Sequence, residues 1–112
     1  MKRYCLACDL KNDPQLIEEY KEWHRPGGVR PEIIDSLKQA GIRDMEIYLQ
    51  GTRLILILEA GDDFDLAEKF KMDQANPKVL EWEKLMWQYQ VAVPGAPPDQ
   101  KWTPMERVFK LN

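Results

Sequence analysis

Arg53 to Ala60, RLILILEA, restricts the fold of this chain more than any other stretch. A short, almost unbroken apolar run entered from Gly51-Thr52 reads as a strand. The residues just before it, Asp44 to Gln50, alternate: Met45, Ile47 and Leu49 fall on one face, Asp44, Glu46 and Tyr48 on the other. Two such runs separated by Gly-X predict a hairpin. A lone hairpin is marginal in water, so the rest of the chain must extend the sheet and cover its apolar side.

The flanking segments supply that cover. Arg3 to Leu10 (RYCLACDL) reads as another strand. Asn12-Asp13-Pro14 has turn and N-cap chemistry, with Pro14 suited to the first helical position. A helix over Gln15–His24 then lines up Leu16, Ile17, Tyr20 and His24. Arg25-Pro26-Gly27-Gly28 stops it. A second helix from Pro31 turns Ile33, Ile34 and Leu37 inward until Ala40-Gly41. After the hairpin, Phe64–Met72 reads as a short helix. Asn76-Pro77 opens a last helix with the stripe Val79, Trp82, Met86, Tyr89. Pro94–Pro98 forms an irregular connection, and Met105–Leu111 alternates like a closing strand. The order β-α-α-β-β-α-α-β predicts one α+β domain over residues 1–112. Its expected form is a ferredoxin-like split βαβ antiparallel sheet with helices on one face.

Composition narrows the function classes. A chain of 112 residues with a formal net charge of -3 and interspersed signs carries no basic footprint for nucleic acid. No apolar run is long enough to span a bilayer, and no signal-like segment precedes the first strand, which points to the cytoplasm and away from membranes. Cys5 and Cys8 point to opposite faces of a strand, and His24 is the only imidazole, so no metal-ligand set assembles from them. The acidic run Gly61-Asp62-Asp63-Phe64-Asp65 lacks the downstream carboxylates of a calcium loop and reads as turn plus cap.

That leaves Glu18–Pro31, EEYKEWHRPGGVRP, as the stretch with chemistry in it. It sets an imidazole one helical turn after Tyr20, at the mouth of a glycine loop. The spaced set Tyr20, His24, Pro31-Glu32, then Ile47-Tyr48-Leu49, then Glu81-Trp82 with Lys84 and Met86, and finally Met105-Glu106-Arg107-Val108-Phe109 resembles the L-rhamnose mutarotase family nearly from end to end. The resemblance implies a homodimeric α+β barrel that interconverts the α and β anomers of a 6-deoxyhexose, L-rhamnose first and L-fucose second, without metal or organic cofactor. It implies His24 as the proton donor and Tyr20, Tyr48 and Trp82 as sugar-binding residues. Two departures stand out. Glu83 occupies the place of a second tryptophan, which makes it a possible pocket residue, and the loop after His24 is longer and lacks a tryptophan before the proline.

The residues suit that chemistry. Mutarotation takes a proton from the anomeric hydroxyl and gives one to the ring oxygen, and an imidazole with an unperturbed pKa of about 6.5 serves near neutrality. Trp82 offers an apolar face to the C6 methyl, worth about 0.8 kcal/mol. A ring stacking on sugar in this way would be only partly buried. Without the resemblance, His24 reads as a charge partner of a helix C-terminus, Trp82 as core and Tyr48 as a cross-strand packing residue. Two rival readings use the same sheet: a non-enzymatic metabolite-binding or interaction module, and a small αβ-barrel monooxygenase.

Overall fold

A computed structural model describes residues 1–112. The elements run β1 (Lys2–Leu10), α1 (Pro14–Trp23), α2 (Pro31–Gln39), β2 (Ile42–Gln50), β3 (Arg53–Ala60), α3 (Leu66–Gln74), α4 (Pro77–Met86), β4 (Gln90–Val91) and β5 (Thr103–Pro104). The sheet order is β2-β3-β1-β4, with β5 also paired to β1. This is the antiparallel ferredoxin-like order, with the chain's two α-α units as its crossovers. The sheet does not close on itself within one chain. No helix is long and apolar enough to cross a membrane.

Register decides which side chains face the helices. Cys8, Leu6 and Tyr4 of β1 stand opposite Leu54, Leu56 and Leu58 of β3, and Leu49, Ile47 and Met45 of β2 stand opposite the same three. The period of two sends this set to the helix side. There Leu10 and Leu54 pack with Tyr20, Ile33, Val79, Trp82, Met86 and Tyr89, while Leu6, Leu56 and Leu58 pack with Ile42, Ala60 and Phe64. The other face carries Cys5 opposite Ile57, Ala7 opposite Ile55, and Tyr48 opposite Ile55 from the other strand. Cys5 and Cys8 therefore lie on opposite faces as free thiols.

The structure differs from the sequence expectation at β4, which the sequence pattern does not predict, at Tyr89, which lies past the end of α4, and at two further boundaries. The third helix starts at Leu66, because Asp65 caps it by accepting from the N–H groups of Ala67 and Glu68 at 2.8 and 3.2 Å. Such a cap contributes about 1 kcal/mol, and it leaves Phe64 outside the helix, buried against Tyr4. The closing strand expected over Met105–Leu111 is instead Thr103–Pro104. Met105 N–H donates to Cys5 O at 2.8 Å, and no strand continues beyond that bond. Along this edge of β1, Asp9 and Leu10 already pair with β4, and Leu6 and Ala7 with β5. Beyond Met105 the chain leaves β1, although Lys2 to Tyr4 carry no partner on that side, and Val108 and Phe109 are 88% and 74% exposed.

Candidate active site at the end of the first helix

The site grows from the way α1 stops. Asp13 caps its start by accepting from Gln15 and Leu16 N–H, with Pro14 at the first position. At the other end His24 leaves helical geometry (φ -104°, ψ 4°) while its own N–H still donates to Lys21 O. The chain then folds back on the helix: Gly27 takes φ +81°, and Gly28 N–H donates to Arg25 O at 2.7 Å. A Cβ at Gly28 would stand 2.6 Å from Trp23 O and 2.8 Å from Glu22 O, so only glycine fits this return.

The His24 ring is held on three sides. Its Nδ1 lies 2.7 Å from Tyr20 O. A carbonyl only accepts, so Nδ1 carries the hydrogen and Nε2 is the nitrogen left for a ligand. The imidazole lies 4.1 Å from the Tyr20 ring at 31°, and its edge meets the Trp82 indole at 5.8 Å. Burial lowers the His24 pKa below its ordinary value, partly offset by the bond to Tyr20. The ring is thus disposed to be neutral at rest, and its protonated form is the stronger acid.

His24 opens onto a cavity of about 460 Å³, with Gly27 and Val29 from the loop and Pro31, Ile34 and Asp35 from α2 around it. This volume lies within the range of small-molecule sites. Arg25 also borders the cavity but is ion-paired with Glu22, one turn back on α1.

The other sequence candidates divide. Tyr20 sits beside His24, but its phenol is 3% exposed and accepts from Gln90 Nε2 at 3.2 Å inside the core. Burial pushes that phenol well above its ordinary pKa. Trp82 also sits beside His24, yet it is 8% exposed rather than partly open. Trp23 meets it edge-on at 5.9 Å, and the Arg30 guanidinium, held by Glu81 at 3.1 Å, lies 5.7 Å from it. Tyr48 is not brought to this cluster. It projects from the opposite sheet face, 54% exposed, with its hydroxyl donating to Glu46 at 3.0 Å. The position-by-position alternation of β2 puts Met45 and Leu49 on the helix side instead.

Glu83 does not border the His24 cavity. Burial raises its pKa against the opposing pull of Lys101, with Asp73 and Lys69 also close. Lys101 donates to Glu83 O at 2.8 Å and stands 4.9 Å from the Trp87 ring. Desolvation brings the Lys101 pKa down to about 8. This group ties the connection after β4 back onto α4, away from the imidazole.

Sequence reading missed Arg30, Trp23 and Asp35 as neighbours of the site. For Asp35 a signal existed. Pro31, Ile34 and Asp35 follow the i, i+3, i+4 spacing of one helix face, distinct from the buried face of Ile33 and Leu37.

Comparison with known proteins agrees with this architecture. The family profile described as L-rhamnose mutarotase matches residues 3–111. The L-fucose mutarotase of Xanthomonas campestris pv. campestris is 44% identical over 112 residues, covering 100% of this chain and 90% of the relative. The L-rhamnose mutarotase of Paraburkholderia phytofirmans is 29% identical, covering 96% and 94%. Among solved structures, the L-rhamnose mutarotase of Formosa agariphila superposes with a TM-score of 0.72 at 21% identity over the full length of both chains. A profile match across almost the whole chain, together with a 44% identical full-length relative, places it: the chain belongs to the L-rhamnose mutarotase family.

Proposed function

We propose that this chain is a 6-deoxyhexose mutarotase acting on L-fucose in preference to L-rhamnose, with His24 handling the proton of the ring oxygen. Family membership makes the chain an isomerase of sugar anomers. The observation that carries the acid–base reading is the imidazole itself: Nδ1 is spent on Tyr20 O, and His24 borders an open cleft of about 460 Å³. In this reading the protonated form of His24 donates from Nε2 to the ring oxygen as the C1–O5 bond opens, which leaves the neutral imidazole with its hydrogen on Nδ1. His24 takes the donated proton back as the ring closes on the other face of C1. General acid–base help of this kind is worth about 10²–10⁴-fold. Tyr20 acts by locking the ring through its backbone carbonyl and its π-face, and Trp82 as the wall behind it.

L-fucose is favoured because the relative named for it shares 44% of its residues with this chain, against 29% for the relative named for L-rhamnose. The two sugars differ in which hydroxyls are axial, so the polar lining of the cavity separates them. Saturation transfer between C1 protons, run on both sugars, should give the larger kcat/KM for L-fucose. A larger value for L-rhamnose would reverse the substrate assignment and leave the reaction in place.

The active form in this reading is a homodimer. One sheet face is covered by helices; the other exposes Tyr48 and carries Ile55, Ile57 and Ala7. Apolar Val108, Phe109 and Leu111 stand out from the same chain. A second copy laid face to face buries both in an isologous contact, and Tyr48 then belongs to that contact rather than to the cavity. Sedimentation equilibrium at micromolar concentration should return twice the chain mass of 13.2 kDa. A monomer at that concentration would contradict the assembly.

A further inference from the structure

Ring opening moves two protons, and His24 accounts for one of them. The partner has to stand in the same cavity, and the structure leaves few candidates. The Tyr20 hydroxyl faces Gln90 in the core, Tyr48 lies across the sheet, and Glu83 lies with Lys101. Arg25 holds no removable proton at neutral pH and is paired with Glu22. Among the residues around the cavity, the one carboxylate is Asp35. It projects from α2 beside Ile34, one turn after Pro31, and no ion pair ties it to a basic group.

We propose that Asp35 is a second catalytic residue, the general base that removes the proton of the anomeric hydroxyl while His24 protonates the ring oxygen. This rests on the mutarotase reading of the His24 cavity. The step balances. The Asp35 carboxylate takes the O1 proton, the O1–C1 bond becomes a carbonyl, and the C1–O5 electron pair goes to O5. O5 then takes the proton from His24 Nε2. After rotation about C1–C2 the open aldehyde recloses with every transfer reversed, so both groups return to their starting states and nothing is consumed. Burial of the His24 ring against Tyr20 and Trp82 lowers its pKa, so the imidazolium that donates is a stronger acid than a free one.

The test uses the full chain with Asp35→Asn, Asp35→Ala and Asp35→Glu, each checked by thermal melt. Asp35 is exposed on a helix, so all three should melt near the wild type. Anomer exchange on L-fucose should fall roughly 10²-fold in kcat for the Asn and Ala variants, with KM within about threefold. Asp35→Glu should recover part of the rate, and added formate should partly restore Asp35→Ala, a rescue that a merely structural role would not give. Wild-type exchange in folded Asp35→Asn would overturn the assignment while leaving the mutarotase reading intact. A loss unaffected by either formate or Glu would overturn it too. A wild-type chain that does not accelerate exchange removes the reading beneath it and the inference with it.

Discussion

His24→Ala should lower the enzymatic rate of anomer exchange by roughly 10²–10⁴-fold, the usual worth of a positioned acid–base group. The size follows from there being no substitute. His24 is the only imidazole of the chain, and the phenol nearest to it is turned into the core. The fold should survive the change. The bond from His24 N–H to Lys21 O, which closes the end of α1, is backbone and stays. The side chain contributes one hydrogen bond to Tyr20 O, a loss of about 1 kcal/mol. Exchange rates on L-fucose, measured beside a melt, separate the two effects. A folded variant with wild-type exchange would remove His24 from the chemistry.

Trp82→Ala should be the most destabilising single change in the site, because its indole is one of the buried side chains that join α4 to Tyr20, Ile33 and Leu54. Truncating a buried tryptophan costs about 3–5 kcal/mol. For a domain of this size that lowers the melting midpoint by roughly 10–20 °C. Activity should fall with it, since the imidazole loses the wall it packs against at 5.8 Å. Trp82→Phe keeps an aromatic wall and should retain more of both. A melt of Trp82→Ala within a few degrees of the wild type would show that the indole is not held in the core.

The parts of this architecture that depend on local pattern were legible in the sequence. The β2–β3 hairpin, the Asp13 and Asn76 caps and the halt of α1 at Arg25-Pro26-Gly27-Gly28 each follow from residues close along the chain. The pairing of Tyr20 with His24 was legible for the same reason, as an i, i+4 relation on one helix. What depends on tertiary placement was not. Met105–Leu111 has the alternation of a strand, but alternation does not say whether a segment stays against the sheet, and this one leaves the edge of β1 after the bond from Met105 N–H to Cys5 O. The family resemblance assigns Tyr48 and Trp82 to the sugar. The register of β2 turns Tyr48 from the helix side, and Arg30 and Trp23, neither of them near Trp82 in sequence, close over the indole. Glu83 beside Trp82 suggested a shared pocket, yet adjacent helix positions differ by about 100° and face different neighbours.

The most direct test of the central claim is magnetisation transfer between the α and β C1 protons of L-fucose, with and without micromolar amounts of the purified chain at neutral pH. The account predicts exchange above the buffer rate, rising in proportion to protein concentration and lost in His24→Ala. Exchange no faster than in buffer, from a folded protein, would contradict it.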